Sequence, residues 1–158
     1  ATKSGIRISE SENFKLFWDG LLTPNLKQRF GVNPVHTMSE IQLLRSKFPD
    51  KIKLYLAKHG DEILAGTVFF ITHNVAHCQY IAASNEGRKS GALNLLFTKL
   101  IDDELNSKRY FDFGIVNEKE GKSLNIGMLG WKERMGGRAI SNDFYKISTT
   151  NNINLDVI

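Results

Sequence analysis

The sequence predicts an α/β (α+β) domain with a mixed central sheet, an antiparallel three-strand meander plus a parallel pair, and helices on both faces. Three observations carry that prediction. Residues 52–83 contain three consecutive strand patterns separated by short polar turns. Residues 91–107 carry a regular apolar stripe at helical spacing, followed at once by the strand pattern YFDFGIV. Two amphipathic helical stretches precede the meander, so the expected element order is ααβββαβαβ.

From Ser11 to about Arg29, Phe14, Phe17, Trp18, Leu21, Leu22 and Leu26 recur at helical spacing, and Pro24 implies a break or kink. Gly31 to Pro34 reads as a loop. A second helix is expected from Ser39, which has N-cap chemistry, through Ile41, Leu44 and Phe48 to a stop at Pro49. IKLYLAKH alternates, with Ile52, Leu54 and Leu56 on one face and Tyr55 and Ala57 on the other. Gly60, Asp61 and Glu62 make the hairpin turn. ILAGTVFFITH is apolar on both faces and is therefore placed centrally. AHCQYIAAS is the third strand, with alternation putting His77 and Gln79 on one face and Tyr80 and Ser84 on the other.

The helix from Gly91 to about Ser107 is expected to bury Leu93, Leu96, Phe97, Leu100, Ile101 and Leu105. A helix between two strands of one sheet favours a parallel, right-handed crossover to Tyr110–Val116. A polar loop, a helix around Leu124 to Met135, and a last strand in RAISNDFYKIS (residues 138–148) complete the order.

At 158 residues, with 41% hydrophobic and 24% charged residues, the chain can build one real core and not two. No apolar run approaches the roughly 20 residues that span a bilayer. The lone Cys78 excludes an internal disulfide framework, and its apolar strand predicts a buried, inert thiol in a reducing cytoplasm. Four histidines (His36, His59, His73 and His77) form no HExxH pair, so no metal is expected. A net charge of +4 allows anionic substrates without demanding nucleic acid.

One stretch carries recognisable ligand chemistry. The strand ending at Ser84 runs into Gly87, Arg88, Lys89, Ser90, Gly91 and Ala92 and then into a helix. Small residues let a ligand approach the backbone, and the first helical turn offers free N–H groups and the positive dipole end. A phosphate or pyrophosphate would suit it. An exposed turn with two solvated basic residues would carry the same sequence.

The segment from Asn125 to Gly137, N-x-x-M-x-x-W-K-E-R-M-G-G, resembles the closing helix of the GNAT acyltransferases. Asn125 stands at the family Asn, Met128 at an Ala, Trp131 at a Leu and Gly136 at a Gly, and the element order matches as well. The family loop resembles Gln/Arg-x-x-Gly-x-Gly/Ala; Arg88 and Gly91 fit it, while Leu93 takes the last small position. Lys132 replaces the family Tyr that often protonates the leaving thiolate. HCQYIAAS, YFDFGIVNE and WKERMGGR are similar to the bacterial FemAB-like (Fem-type) branch, whose members move amino acids from aminoacyl-tRNA onto cell-envelope precursors and often carry two GNAT-like halves.

That resemblance implies an acyl-CoA (acetyl-CoA) or aminoacyl-tRNA donor held by residues 87–92 with Asn125, a small amine or cell-envelope precursor as acceptor, and a preceding GNAT-like half. Asp112 and His77 are the candidate general bases, because a mid-strand Asp is costly to bury without a partner and a base needs a proton within reach. Either residue could equally be structural. Lys132, one residue off the buried stripe, is expected to snorkel to solvent or to neutralise an oxyanion. His36, Gln79, Tyr80 and Arg138 are candidates for binding the acceptor. The expected function is N-acyl transfer by direct amine attack, with a non-catalytic GNAT-like half that binds acceptor or a partner domain as the alternative.

Overall fold

Alternation along residues 52–59 divides the side chains between two cores, and the sheet is built on that division. In the computed structural model, which describes residues 5–141, 143 and 145, β2 (Ile52–His59), β3 (Glu62–Ile71) and β4 (Val75–Ala83) form the expected antiparallel meander. Ile52, Leu54 and Leu56 face one apolar cluster, Tyr55 and Ala57 the other. β3 lies in the middle of a five-stranded sheet of order β1-β2-β3-β4-β5, as its two apolar faces require.

Two strands depart from expectation. β1 (Arg7–Ser11) pairs antiparallel with β2, although the sequence suggests no strand there. It is a polar edge strand without a buried residue, so it lacks the alternation by which strands are recognised. β5 (Tyr110–Asp112) pairs parallel with β4 as the crossover predicts, but it ends three residues in and does not run on to Val116. Gly114, at φ +72, turns the chain aside, and a Cβ there would stand 3.3 Å from the Cys78 carbonyl oxygen.

α1 (Phe14–Phe17), a π turn (Trp18–Leu22) and α2 (Thr23–Phe30) form one helical run where a break at Pro24 was a possibility. Proline lacks an N–H, and its ring collides with the carbonyl four residues back. The π turn, closed by the Thr23 N–H on the Trp18 carbonyl, places Pro24 in the first turn of α2, where both defects are tolerated. α3 (Met38–Lys47) is capped by Thr37, not Ser39. Thr37 Oγ1 accepts the Glu40 N–H at 3.2 Å and Glu40 accepts the Thr37 N–H at 2.7 Å, a complete capping box. These helices bury Phe17, Leu22 and Ile41 on one sheet face. Asn25 donates to the Ala83 carbonyl at 2.9 Å, pinning α2 to the end of β4.

The opposite face takes the helical stretch 91–107, which is subdivided. α4 (Asn85–Lys89) precedes α5 (Ala92–Lys99), and a π turn (Leu100–Glu104) ends the run. Leu96, Phe97 and Leu100 are fully buried, each contributing about 2 kcal/mol of apolar burial. Most of the expected phosphate loop is therefore helical. Ser84 caps α4 by accepting the Gly87 N–H at 2.9 Å. Gly87 serves packing: a Cβ on it would lie 1.8 Å from the Leu64 carbonyl oxygen of β3.

β6 (Asn117–Glu118) and β7 (Ser123–Leu124) form a small hairpin where a loop is expected, and α6 (Ile126–Arg134) follows. Leu124, expected at the start of this helix, is half-exposed and lies in β7, while Trp131 and Met135 pack on the α5 side. Of the final strand expected at residues 138–148, residues 138–141 have no regular structure. The rest, apart from residues 143 and 145, lies outside the described residues, as does the tail. No helix among the described residues is long and apolar enough to cross a membrane.

The two glycines flanking the cradle should respond differently to alanine. Gly87→Ala drives a methyl into the β3 backbone and should cost on the order of 3 kcal/mol in urea unfolding. Gly91→Ala meets open space and only backbone strain at φ +71, and should cost about 1 kcal/mol.

Candidate active site

β4 contains an irregularity that decides which side chains meet. Phe69 pairs with Cys78 and Val68 with Tyr80, so Gln79 is an extra residue, a β-bulge. Before it, Ala76 and Cys78 face the α5 side; after it, Tyr80 and Ala82 face α1–α3. His77 is paired with Phe70, whose side chain also packs on the α1–α3 side. The bulge therefore reverses the predicted alternation, and Tyr80 shares a face with His77. Bulges commonly re-aim side chains beside functional sites.

His77 and Asp112 occupy the last rung of the parallel pairing between β4 and β5. His77 Nδ1 lies 2.7 Å from Asp112 Oδ2, and the other carboxylate oxygen accepts the Gly114 N–H at 2.8 Å. His77 Nε2 lies 3.1 Å from Gln79 Oε1. A charged imidazole donates to both oxygens as they stand. A neutral one donates Nδ1–H to Asp112 and accepts at Nε2 once the Gln79 amide turns to offer its NH2. The pair can thus take up and release one proton at Nε2 without breaking its Asp112 contact. The His77 and Asp112 side chains are 35% and 49% exposed, so that proton is accessible.

Lys132 does not snorkel. Only 6% exposed, it donates from Nζ to the carbonyls of Gly114 at 3.0 Å and Ile115 at 2.8 Å. Burial lowers its pKa, an effect partly offset by the Asp112 carboxylate. Its ammonium is committed to backbone carbonyls on the turn that ends β5. Gly114 is the residue whose part the sequence did not announce; a glycine directly after FDF permits a left-handed turn but does not require one, as Gly66 within β3 shows.

His36 and Tyr80 form a second contact. The Tyr80 hydroxyl accepts the His36 backbone N–H at 3.1 Å and lies 2.6 Å from His36 Nδ1, to which it donates when the imidazole carries its proton on Nε2. This ties the α2–α3 loop to β4. Tyr80 also packs edge-on against Trp18, with ring centroids 4.8 Å apart. Burial raises the Tyr80 pKa, keeping the hydroxyl protonated.

The remaining candidates are spread out. Arg88, Lys89 and Ser90 are exposed on α4 and its end, and Arg88 donates to Asn85 Oδ1 at 3.2 Å. Gly91 caps α5 in the left-handed region, and no side chain caps that helix. Ala92 is buried in the core. Asn125 uses both ends of its amide within the chain, capping α6 through the Met128 N–H at 2.9 Å and donating to Glu118 at 2.7 Å. Arg138 is exposed and donates to the Gly137 carbonyl at 2.9 Å. Among the described residues no cluster of His, Cys, Asp and Glu could hold a metal ion. Cys78 is buried, its thiol pushed up to about 12 chiefly by desolvation.

The Asp112 carboxyl has a specific pH consequence. Burial raises its pKa, but the His77 hydrogen bond, the Gly114 N–H and the charges of His77 and Lys132 outweigh it, so the net shift is downward. A depressed folded-state value stabilises the fold above the ordinary carboxylate pKa of about 3.9. That contribution is lost as pH falls through the lower folded value. Between about pH 5 and pH 3 the urea midpoint of the wild type should fall more than that of Asp112→Asn. The difference will be small, because the side chain is half-exposed.

A family model described as an acetyltransferase (GNAT) domain matches residues 21–133. No curated protein matches the chain. Among solved structures, a possible acetyltransferase from Clostridium difficile 630 is 17% identical with TM-score 0.64, covering 91% of this chain and 97% of its own. A GNAT family acetyltransferase from Elizabethkingia anophelis with acetyl-CoA bound is 18% identical with TM-score 0.57, over 88% of this chain and 80% of that one. AAC(6')-Iy, in complex with a bisubstrate analogue, CoA-S-monomethyl-acetylneamine, is 13% identical with TM-score 0.64, over 90% of this chain and 97% of that one. At these identities the structures support the fold, and the family model supplies the assignment: the chain belongs to the GNAT acetyltransferase-domain family and is an acyltransferase.

Proposed function

We propose that this domain transfers an acetyl group from acetyl-CoA to a primary amine by direct attack, with His77 as general base and Asp112 as the residue that orients it. The observation that carries this reading is the position of the His77–Asp112 pair at the last rung between β4 and β5. Beyond it, the outer edge of residues 78–83 has no strand neighbour among the described residues. An acyl carbonyl can lie against that edge, beside the base.

The residues at the other end of β4 fit a phosphate-bearing donor. The α5 N-terminus has no capping side chain, Gly91 leaves open space above it, and Arg88 and Lys89 are exposed nearby. First-turn N–H groups and mobile cations suit a diphosphate. When bound, the donor supplies an activated thioester carbonyl. Once the Gln79 amide swings off it, His77 Nε2 takes a proton from the attacking amine, and Asp112 stabilises the imidazolium so formed. Backbone N–H groups of the β4 edge orient the carbonyl and meet the negative charge that develops on its oxygen. His77 is then a proton source for the departing thiolate.

An amine acceptor agrees with the acetylneamine analogue bound to one protein of similar fold. The Fem-type version of the reading substitutes an aminoacyl ester on tRNA for the thioester, with the same base. Titration calorimetry with acetyl-CoA, longer acyl-CoAs and aminoacyl-tRNA separates the donors, and thiol release across an amine panel reads turnover. Acetyl-CoA should bind, and Arg88→Glu should weaken it at least tenfold, about 1.4 kcal/mol. His77→Gln should leave that affinity intact and lower kcat by roughly a hundredfold or more. Binding with no turnover on any amine would favour the non-catalytic alternative, and full activity in His77→Gln would remove the base from the proposal.

A further inference from the structure

No hydrogen bond links Lys132 to Asp112 directly, yet one residue joins them. Gly114 offers its N–H to Asp112 Oδ1 at 2.8 Å and its carbonyl to Lys132 Nζ at 3.0 Å. The same ammonium holds the next carbonyl, Ile115, at 2.8 Å. Asp112 holds His77 Nδ1 at 2.7 Å through its second oxygen. A chain of polar contacts thus runs from α6 through the turn after β5 to the imidazole on β4. We infer that Lys132 is a positioning residue: it clamps the Gly114 turn, which fixes the Asp112 carboxylate and through it the orientation and tautomer of His77.

Several features make this more than a buried lysine meeting its hydrogen-bonding needs. Gly114 sits at φ +72, a conformation that strand pairing does not maintain, and its polar contacts are with the Asp112 and Lys132 side chains. Parallel pairing stops at Asp112, so nothing in the sheet ladder fixes residues 113–116. Two carbonyls in succession held by one cation fix the 114–115 and 115–116 peptide planes, and through the backbone angles of Gly114 they constrain the adjoining plane that carries the Gly114 N–H. Lys132 is itself anchored, because the Gly137 N–H donates to its carbonyl at 2.9 Å and Trp131 beside it donates to Asn94 of α5 at 2.8 Å. Burying an ammonium is costly, and an apolar residue of similar length would avoid that cost. The cation earns its place by ordering the turn.

The consequence for catalysis rests on the proposed role of His77, but the geometry can be tested without it. In the full chain labelled with 15N-histidine, long-range spectra report the tautomer and hydrogen bonding of each of the four histidines, and His77→Gln assigns the signal. In wild type the hydrogen-bonded Nδ1–H of His77 should be observed downfield. Lys132→Met, an apolar match in length, should abolish that signal while keeping a cooperative melt, as should the control Asp112→Asn. Lys132→Gln, which retains one donor group, should show partial loss and covers the case in which the methionine variant fails to fold. An unchanged His77 signal in either folded Lys132 variant would overturn the inference. With acetyl-CoA and an amine that supports turnover, Lys132→Met should lower kcat roughly tenfold to a hundredfold and leave KM for acetyl-CoA unchanged. If His77 signals move but activity persists, the positioning stands and the base assignment fails.

Discussion

β4 has different neighbours on its two edges, and the site follows from that inequality. On one edge its antiparallel pairing with β3 runs from Ala76 to Ala83. On the other, β5 pairs with only Val75, Ala76 and His77 before Gly114 turns away. A strand held firmly on one side can leave backbone donors and acceptors free on the other without unfolding. Where no side chain meets it, as Asn25 meets the Ala83 carbonyl, the backbone of such an edge has to meet water or a ligand. The bulge at Gln79 lies where the edge becomes free, and brings His77 and Tyr80 to one face. Reactive side chains and an open backbone edge coincide because both arise from one interruption of regular pairing.

What keeps β5 in place despite so short a ladder is packing. Phe111 and Phe113 pack with Phe69 and Phe97, and Phe97 and Phe113 stack with centroids 5.7 Å apart. Trp131 of α6 closes the cluster edge-on, 5.2 Å from Phe97. Edge-to-face and offset contacts add roughly 0.5–1.5 kcal/mol each beyond area burial. Apolar contact secures the position of β5 and α6, while the Lys132 contacts supply direction.

Much of this fold was legible because it depends on periods. The alternation of residues 52–59, the two apolar faces of β3 and the stripe of α5 each report which side is buried, and the structure uses them so. What failed to show in sequence lacks a period. AHCQYIAAS reads equally well with or without an extra residue, so the face of Tyr80 could not be fixed. The fate of Lys132 depends on carbonyls from residues 114 and 115, which no local pattern announces. Thr37-x-x-Glu40 and Ser39-x-x-Gln42 are both capping-box patterns, so the sequence alone leaves two starts for this helix and the structure uses the first. For the candidate site, His77 and Asp112 were named separately as residue types capable of base chemistry. Their pairing needed the register of two strands that are distant in sequence.

β4 also sets a length. His77 and Ala83 are six residues apart, roughly 20 Å along an extended strand at about 3.3 Å per residue. The chain then turns through Ser84 into α4 and reaches the open N-terminus of α5 at Gly91. On the proposed reading, phosphates at that terminus and an acyl carbonyl at His77 must be joined by a long extended arm lying along the free edge. A compact donor with its phosphate next to the reactive carbonyl cannot satisfy both ends together. On that reading the strand selects donors by reach as well as by charge. Leu93 in place of a small residue is compatible with this, because the α5 terminus is opened by Gly91 and by the missing side-chain cap, two features that do not involve position 93.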